Sequence, residues 1–161
     1  MKIYHIKRKQ TLPIGVEEAW DFFSSPSNLT KITPAKMDIH VLYISGGDKT
    51  YAGQIIHYKL KILSIFKIHW TTEITHVREP HYFVDIQLAG PYALWHHQHH
   101  FREIENGVEM IDELNYAIPF GLLGRLVNWL FVAREVNAIF DHRFTVLKRY
   151  FLKAKLQKDL I

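Results

Sequence analysis

The chain has 161 residues, the size of one domain, and contains no cysteine, so its core must hold without disulfides or thiolate metal sites. Its 48% hydrophobic and 22% charged residues exclude a disordered or collagen-like chain, while 14% aromatics and 11 histidines stand out. The net charge of +4 comes from clusters such as Lys7-Arg8-Lys9 and the C-terminal Lys148, Arg149, Lys153, Lys155 and Lys158, without a zinc finger, helix-turn-helix or RNA-recognition motif. No nucleic-acid partner is expected from such a pattern.

Residues 2–11 read as a first strand, closed by Pro13. Pro13 to Phe23 then reads as a helix, because Val16, Ala19, Trp20 and Phe23 recur at three and four residues. Ser27 is the expected N-cap of a short second helix carrying Leu29 and Ile32, which Thr33-Pro34 stops. From Met37 to Pro119 the period changes to two. Strands are expected over Ile39–Tyr43, Gln54–Ile62, Ile68–Arg78, His81–Leu88, Ala93–Glu105 and Val108–Ile118, with Gly46-Gly47-Asp48 as a turn. Asn106-Gly107 is the strongest hairpin signal, and short turns throughout imply an antiparallel meander of six to seven strands. After Pro119-Phe120-Gly121 one helix runs from Leu122 into the mid-150s. Its expected apolar stripe includes Leu126, Trp129, Ala133, Val136, Phe140, Phe144, Leu147 and Phe151. Such a helix spans roughly 48 Å against about 36 Å for an 11-residue strand, so its lysine-rich end should overhang the sheet. The pattern is α+β, in a single domain over 1–161.

The run Trp95-His96-His97-Gln98-His99-His100-Phe101 is the most pointed chemical feature. Strand alternation puts Trp95, His97, His99 and Phe101 on one face. A two-residue Asn106-Gly107 turn would set Trp95 against Ile118, His97 against Tyr116, His99 against Leu114 and Phe101 against Asp112. That face is apolar and should point inward. His69, Glu73 and His76 resemble a zinc spacing, but the metalloprotease pattern requires a helix and this segment reads as β.

The segment from Trp20 to Leu29 with Ile32-Thr33-Pro34 resembles the entry of a bacterial branch of the START-like superfamily, also called SRPBCC or birch-pollen-allergen-like. Phe83-x-Asp85-x-Gln87-x-x-Gly90-Pro91, Trp95-x-His97-x-His99-x-Phe101, Asp112-Glu113, Tyr116 and Ile139-Phe140-Asp141-His142-Arg143 are similar again. The resemblance implies a helix-grip fold, a curved antiparallel sheet wrapped around the C-terminal helix. It also implies a cavity for a hydrophobic ligand, in a superfamily that includes polyketide cyclases, lipid carriers and hormone receptors.

The expected function is binding of a small hydrophobic or aromatic molecule between sheet and helix. Tyr58, Trp70, Trp95, His97, His99 and Phe101 are the candidate ligand residues from the sheet. Tyr116, Trp129, Val136 and Phe140 complete them. His97 and His99 admit four roles: structural histidines, ligand recognition, metal binding with a carboxylate not identified by spacing, or acid–base catalysis together with Asp112. A cyclase or dehydratase and a ligandless interaction module are the alternatives. Asp85 and Gln87 share a face, but the parity of the Gly90-Pro91 loop decides whether it is the inner one. No cofactor or resident metal is expected. Nothing in the pattern calls for more than a weak dimer. With no secretory apolar core in MKIYHIKRKQ and no run of roughly 18 apolar residues, the expected address is cytoplasmic, without a membrane span.

Overall fold

Alternation of apolar and polar residues along half the chain creates strands with one face to bury, and the C-terminal helix supplies the covering surface. The computed structural model describes residues 1–63 and 65–158, with side chains through Lys153. The strands are β1 (Tyr4–Leu12), β2 (His40–Ile44), β3 (Gln54–Ile62), β4 (Phe66–Arg78), β5 (Tyr82–Ala89), β6 (Leu94–Ile104) and β7 (Gly107–Ala117). They form one antiparallel sheet in the order β1-β7-β6-β5-β4-β3-β2, so the first strand closes beside the last. Helices α1 (Val16–Phe23) and α2 (Leu29–Ile32) follow β1, while α3 (Gly121–Val127), a π-helical turn (Asn128–Val132) and α4 (Ala133–Lys158) follow β7.

The inner face of the sheet carries the core. Trp20 of α1, 1% exposed, stands edge-on to Phe83 and Phe101 at 6.0 and 6.1 Å between ring centres. Leu147 and Phe151 of α4 seal the same end. Trp20→Ala would remove the largest of these side chains, at a typical cost of about 3–5 kcal/mol.

Three local expectations are corrected. Ser27 caps no helix with its side chain; it sits in a 3-10 turn (Pro26–Asn28) and donates Oγ to Asp48 Oδ1 at 2.7 Å. Asp48 thereby ties the β2–β3 turn to the start of α2. The β6–β7 hairpin pairs Ile104 with Gly107, so Glu105-Asn106 is its two-residue loop. Gly107 is a strand residue at φ 143°, and a Cβ there would stand 2.1 Å from the Leu12 carbonyl oxygen. The glycine thus serves close approach of β1's end, and the register slides by two residues: Trp95 faces Tyr116, His97 faces Leu114, His99 faces Asp112 and Phe101 faces Met110. A slide of two leaves every side chain on its face.

The third correction concerns the long helix. Its wide π turn holds Gly124, Asn128, Val132, Val136 and Phe140 in phase at intervals of four residues, on the inner side. Leu126 and Trp129 therefore turn outward, Trp129 to 76% exposure, and Phe144 is also exposed. The expected lysine-rich overhang at Lys155 and Lys158 lies outside the described side chains.

Candidate functional site

Strand alternation and the curvature of the sheet leave a cavity of about 250 Å3 between its inner face, α2 and α4. Most of the lining is apolar, with Ile56, Leu60, Ile74, Trp70, Trp95 and Phe140 among its walls. Lys36 and Glu135, 2.7 Å apart, tie the turn after α2 to the start of α4. One end of this apolar space is ionic.

That end is built by three neighbouring strands and one helix. Asp85 of β5 lies directly across from His97 of β6, and Asp112 of β7 directly across from His99. Alternation places His97 and His99 side by side, with ring centres 3.9 Å apart. His99 Nε2 and Asp85 Oδ2 are hydrogen-bonded at 3.0 Å, and His97 Nδ1 lies 3.6 Å from the same oxygen. Behind the rings, Asp112 Oδ1 stands 2.8 Å from His99 Nδ1 and 3.2 Å from His97 Nε2. These two contacts are close but off-axis for ring N–H donors, so they act chiefly as charge contacts. Phe83 stacks on His99 at 4.3 Å and Phe140 stands edge-on to His97 at 5.6 Å, which fixes both rings. Arg143 of α4, 9% exposed, lines the same end, and its Nε has no hydrogen-bond partner among the described residues.

Burial and charge pull the two imidazoles in opposite directions. Burial lowers the pKa of His97, and the neighbouring His99 adds to this against the pull of Asp112 and Asp85. For His99 burial also opposes protonation, but its contacts with Asp112 and Asp85 outweigh it and the pKa rises. Burial would raise Asp112, yet the Arg143 charge and both imidazoles hold it well below the usual carboxylate range. Asp85 is likewise lowered, because its bond from His99 and the surrounding cations exceed its burial cost. The shifts favour the charged form of Asp85 and Asp112 and protonation of His99 over His97. With Arg143, a cluster so charged would carry no net charge. Tyr58, also on the cavity wall, is pushed up by burial, with the Asp85 charge adding to the effect.

Of the residues expected from the sequence, Tyr58, Trp70, Trp95, His97, His99, Val136 and Phe140 line the cavity. Phe101 does not: it packs under α1 against Trp20 and Phe23, because the cavity ends one residue pair earlier on β6. Tyr116 is buried against Tyr4 and donates its hydroxyl to Asn128 Oδ1 at 3.1 Å, pinning the π turn. Trp129 faces outward, as the wide turn requires. Asp112 sits behind the histidines, beside a second cavity between β1 and α4.

Asp85 faces inward with Phe83, whereas Gln87 folds over its own loop, bonding Tyr92 O at 2.8 Å and accepting from Tyr92 N at 3.2 Å. A Cβ on Gly90 would press on the Gln87 carboxamide and displace it from Tyr92. The sequence marks Arg143 only as the end of the Ile139–Arg143 motif, not as a site residue. Its signal was an arginine three residues after Phe140 and seven after Val136, within the inward stripe. His69 lies on the outer face, 3.0 Å from His57.

The sequence matches no family model and no curated protein. Solved structures do match. TTHA0849 from Thermus thermophilus superposes with a TM-score of 0.67 at 14% identity, over 94% of this chain and 99% of that one. The di-domain ARO/CYC protein BexL of the BE-7585A biosynthetic pathway gives 0.70 at 13% identity, over 92% of this chain and 50% of that one. A norcoclaurine synthase point mutant from Thalictrum, in complex with a transition-state analogue, gives 0.66 at 13% identity, over 96% and 97%. The chain has the START-like, helix-grip fold. At these identities the likeness speaks for architecture, and the START-like cavity must be read from its own residues. No helix among the described residues is long and apolar enough to cross a membrane.

Proposed function

We propose that this START-like chain binds a small, largely apolar molecule of one or two rings that carries an oxygen function at one end. The observation that carries this reading is an apolar cavity ending in a largely buried ionic cluster of Asp85, His97, His99, Asp112 and Arg143. A volume of about 250 Å3 lies just below the ~300–1,000 Å3 common for small-molecule sites, which favours a compact ligand over a long acyl chain. The apolar walls supply affinity at about 25 cal/mol per Å2 of buried surface, less the cost of ordering the ligand. Arg143, which lines the ionic end of the cavity, is the donor for a carbonyl or carboxylate oxygen. Neighbours named as an ARO/CYC protein and as a norcoclaurine synthase support the same reading.

A second reading, a cyclase- or dehydratase-like enzyme, draws on one specific feature. Two adjacent imidazoles with opposite pKa shifts are an acid and a base poised side by side. A ligandless interaction module is the weakest of the three, because a continuous cavity is present.

Native mass spectrometry for co-purified mass, followed by melting curves with a panel of one- and two-ring phenols, ketones and aromatic acids, tests the proposal. At least one compound should raise the melting temperature, and Ile139→Trp, which fills the cavity from α4, should abolish that rise while the protein stays folded. A panel that leaves melting unchanged, or stabilisation that survives Ile139→Trp, would overturn ligand binding at this site.

A further inference from the structure

The ionic end of the cavity has a regularity that recognition of an organic oxygen does not require. Each imidazole turns one nitrogen to Asp85 and the other to Asp112. His97 Nδ1 and His99 Nε2 face Asp85 Oδ2 at 3.6 and 3.0 Å, while His97 Nε2 and His99 Nδ1 face Asp112 Oδ1 at 3.2 and 2.8 Å. With the ring protons on the nitrogens that face Asp112, and the proton between His99 Nε2 and Asp85 removed, two nitrogen lone pairs and a carboxylate oxygen converge on one point at the cavity wall. In that proton state the three acceptors suit a cation between them.

We propose that Asp85, His97 and His99 bind a divalent transition-metal ion at the cavity wall, with Asp112 as the carboxylate that orients both imidazoles from behind. One donor atom from each of the three residues lies within 4.8 Å of the other two. Donors about 2.0–2.2 Å from a tetrahedral ion stand roughly 3.3–3.6 Å apart, close to the 3.0 and 3.6 Å from Asp85 Oδ2 to the two imidazole nitrogens. Two imidazoles and one carboxylate suit zinc or iron(II) and leave further coordination positions open. A carboxylate behind a ligating histidine fixes its tautomer and strengthens its basicity, and here Asp112 Oδ1 stands 2.8 and 3.2 Å from the two ring nitrogens turned away from Asp85, so a small rotation of the rings would bring their N–H groups on axis. The stacking of Phe83 on His99 and the edge contact of Phe140 with His97 hold the rings without help from the ion.

Binding would displace the proton shared by His99 Nε2 and Asp85 Oδ2. The two carboxylates then balance the ion, and Arg143 leaves one net positive charge, which suits hydroxide or an anionic group as a further ligand. The assignment does not depend on the organic ligand: the donors converge whether or not the cavity takes one.

The test is titration of the chelator-treated protein with Co2+, read by visible spectroscopy, and with diamagnetic Zn2+, read by long-range proton–nitrogen spectra of the imidazoles. One equivalent of Co2+ should give an intensified d–d band well above that of the hydrated ion, and Zn2+ metallation should appear at His97 Nδ1 and His99 Nε2. Asp85→Asn and His99→Gln should each weaken binding at least ~100-fold, and Asp112→Asn by about 10–100-fold. His57→Ala, which removes half of the exposed His57–His69 pair, should change nothing. A d–d band no stronger than that of the hydrated ion in the unsubstituted protein would overturn the proposal. So would binding that is lost with His57→Ala and kept with Asp85→Asn. Should a ligand variant fail to fold, the imidazole spectra of the unsubstituted protein decide, because metallation elsewhere refutes the site. A failed panel of organic ligands would leave this result untouched, which separates the two ideas.

Discussion

Asp112→Asn tests the electrostatic account of the site most directly. Asp112 is 3% exposed and stands 2.8 and 3.2 Å from two imidazole nitrogens. Removing one partner of a buried ion pair typically costs about 3–5 kcal/mol, because the other charge is left uncompensated. Here Asp85 still accepts from His99, and an asparagine oxygen can still face the rings, so the expected loss is about 2–3 kcal/mol. At ~2–4 °C per kcal/mol for a chain of this size, the melting temperature should fall by about 4–12 °C.

The loss should depend on pH in a defined way. The lowered pKa of Asp112 stabilises the fold above its unfolded value near ~3.9, and this is lost as pH falls through the folded value. The raised pKa of His99 stabilises the fold below ~6.5, and this is lost as pH rises through its folded value. The gap between the two proteins should therefore be widest between about pH 4 and 6.5 and narrow on both sides. Urea unfolding across that range, with a chelator present, measures it. A gap that is constant with pH, or smaller than about 1 kcal/mol throughout, would refute the argument that Asp112 acts as a buried charge on His99.

Two further outcomes follow from residues outside the ionic cluster. Tyr116→Phe should cost about 0.5–1.5 kcal/mol in urea unfolding through loss of the bond to Asn128, and should leave the affinity of any cavity ligand unchanged; a fall in affinity would mean that Tyr116 reaches the ligand. Gly107→Ala should destabilise by roughly 2–4 kcal/mol, since φ 143° and the Leu12 carbonyl both exclude a Cβ, and thermal unfolding within about 0.5 kcal/mol of the parent would contradict that packing.

The misplaced residues share a cause. Strand alternation correctly pairs His97 with His99 on the inner face, because side-chain direction along a strand follows parity alone. Which residue stands opposite depends on where the turn falls. Asn106-Gly107 is a strong turn signal, yet contact with Leu12 draws Gly107 into the strand and moves the turn back by one residue. Asp85 and Gln87 show the same limit: they share a parity, but Gln87 bends back to brace Tyr92, so only Asp85 reaches the histidines. The loop from Gly90 to Ala93 sets that difference through backbone contacts that no periodicity encodes. On the long helix a single π turn shifts the phase of its own residues and of those before it, which sends Trp129 within the turn to solvent.

Within-element pattern was therefore legible in the chain alone: an α+β order of elements, a meander, a long covering helix, and two of the four histidines in the His96–His100 run pointing inward among aromatics. Those conclusions rest on local periodicity, which each segment carries by itself. The site needed the tertiary structure. Asp85, His97, His99, Asp112 and Arg143 come from three strands and a helix, and their distances follow from inter-strand register and helix phase. Register and phase are determined by contacts between distant segments, such as Leu12 against Gly107 and Tyr116 against Asn128. The excess of rings and imidazoles was visible from the first count of the sequence. That two imidazoles lie between two carboxylates, at the end of an apolar cavity, only the folded sheet decides.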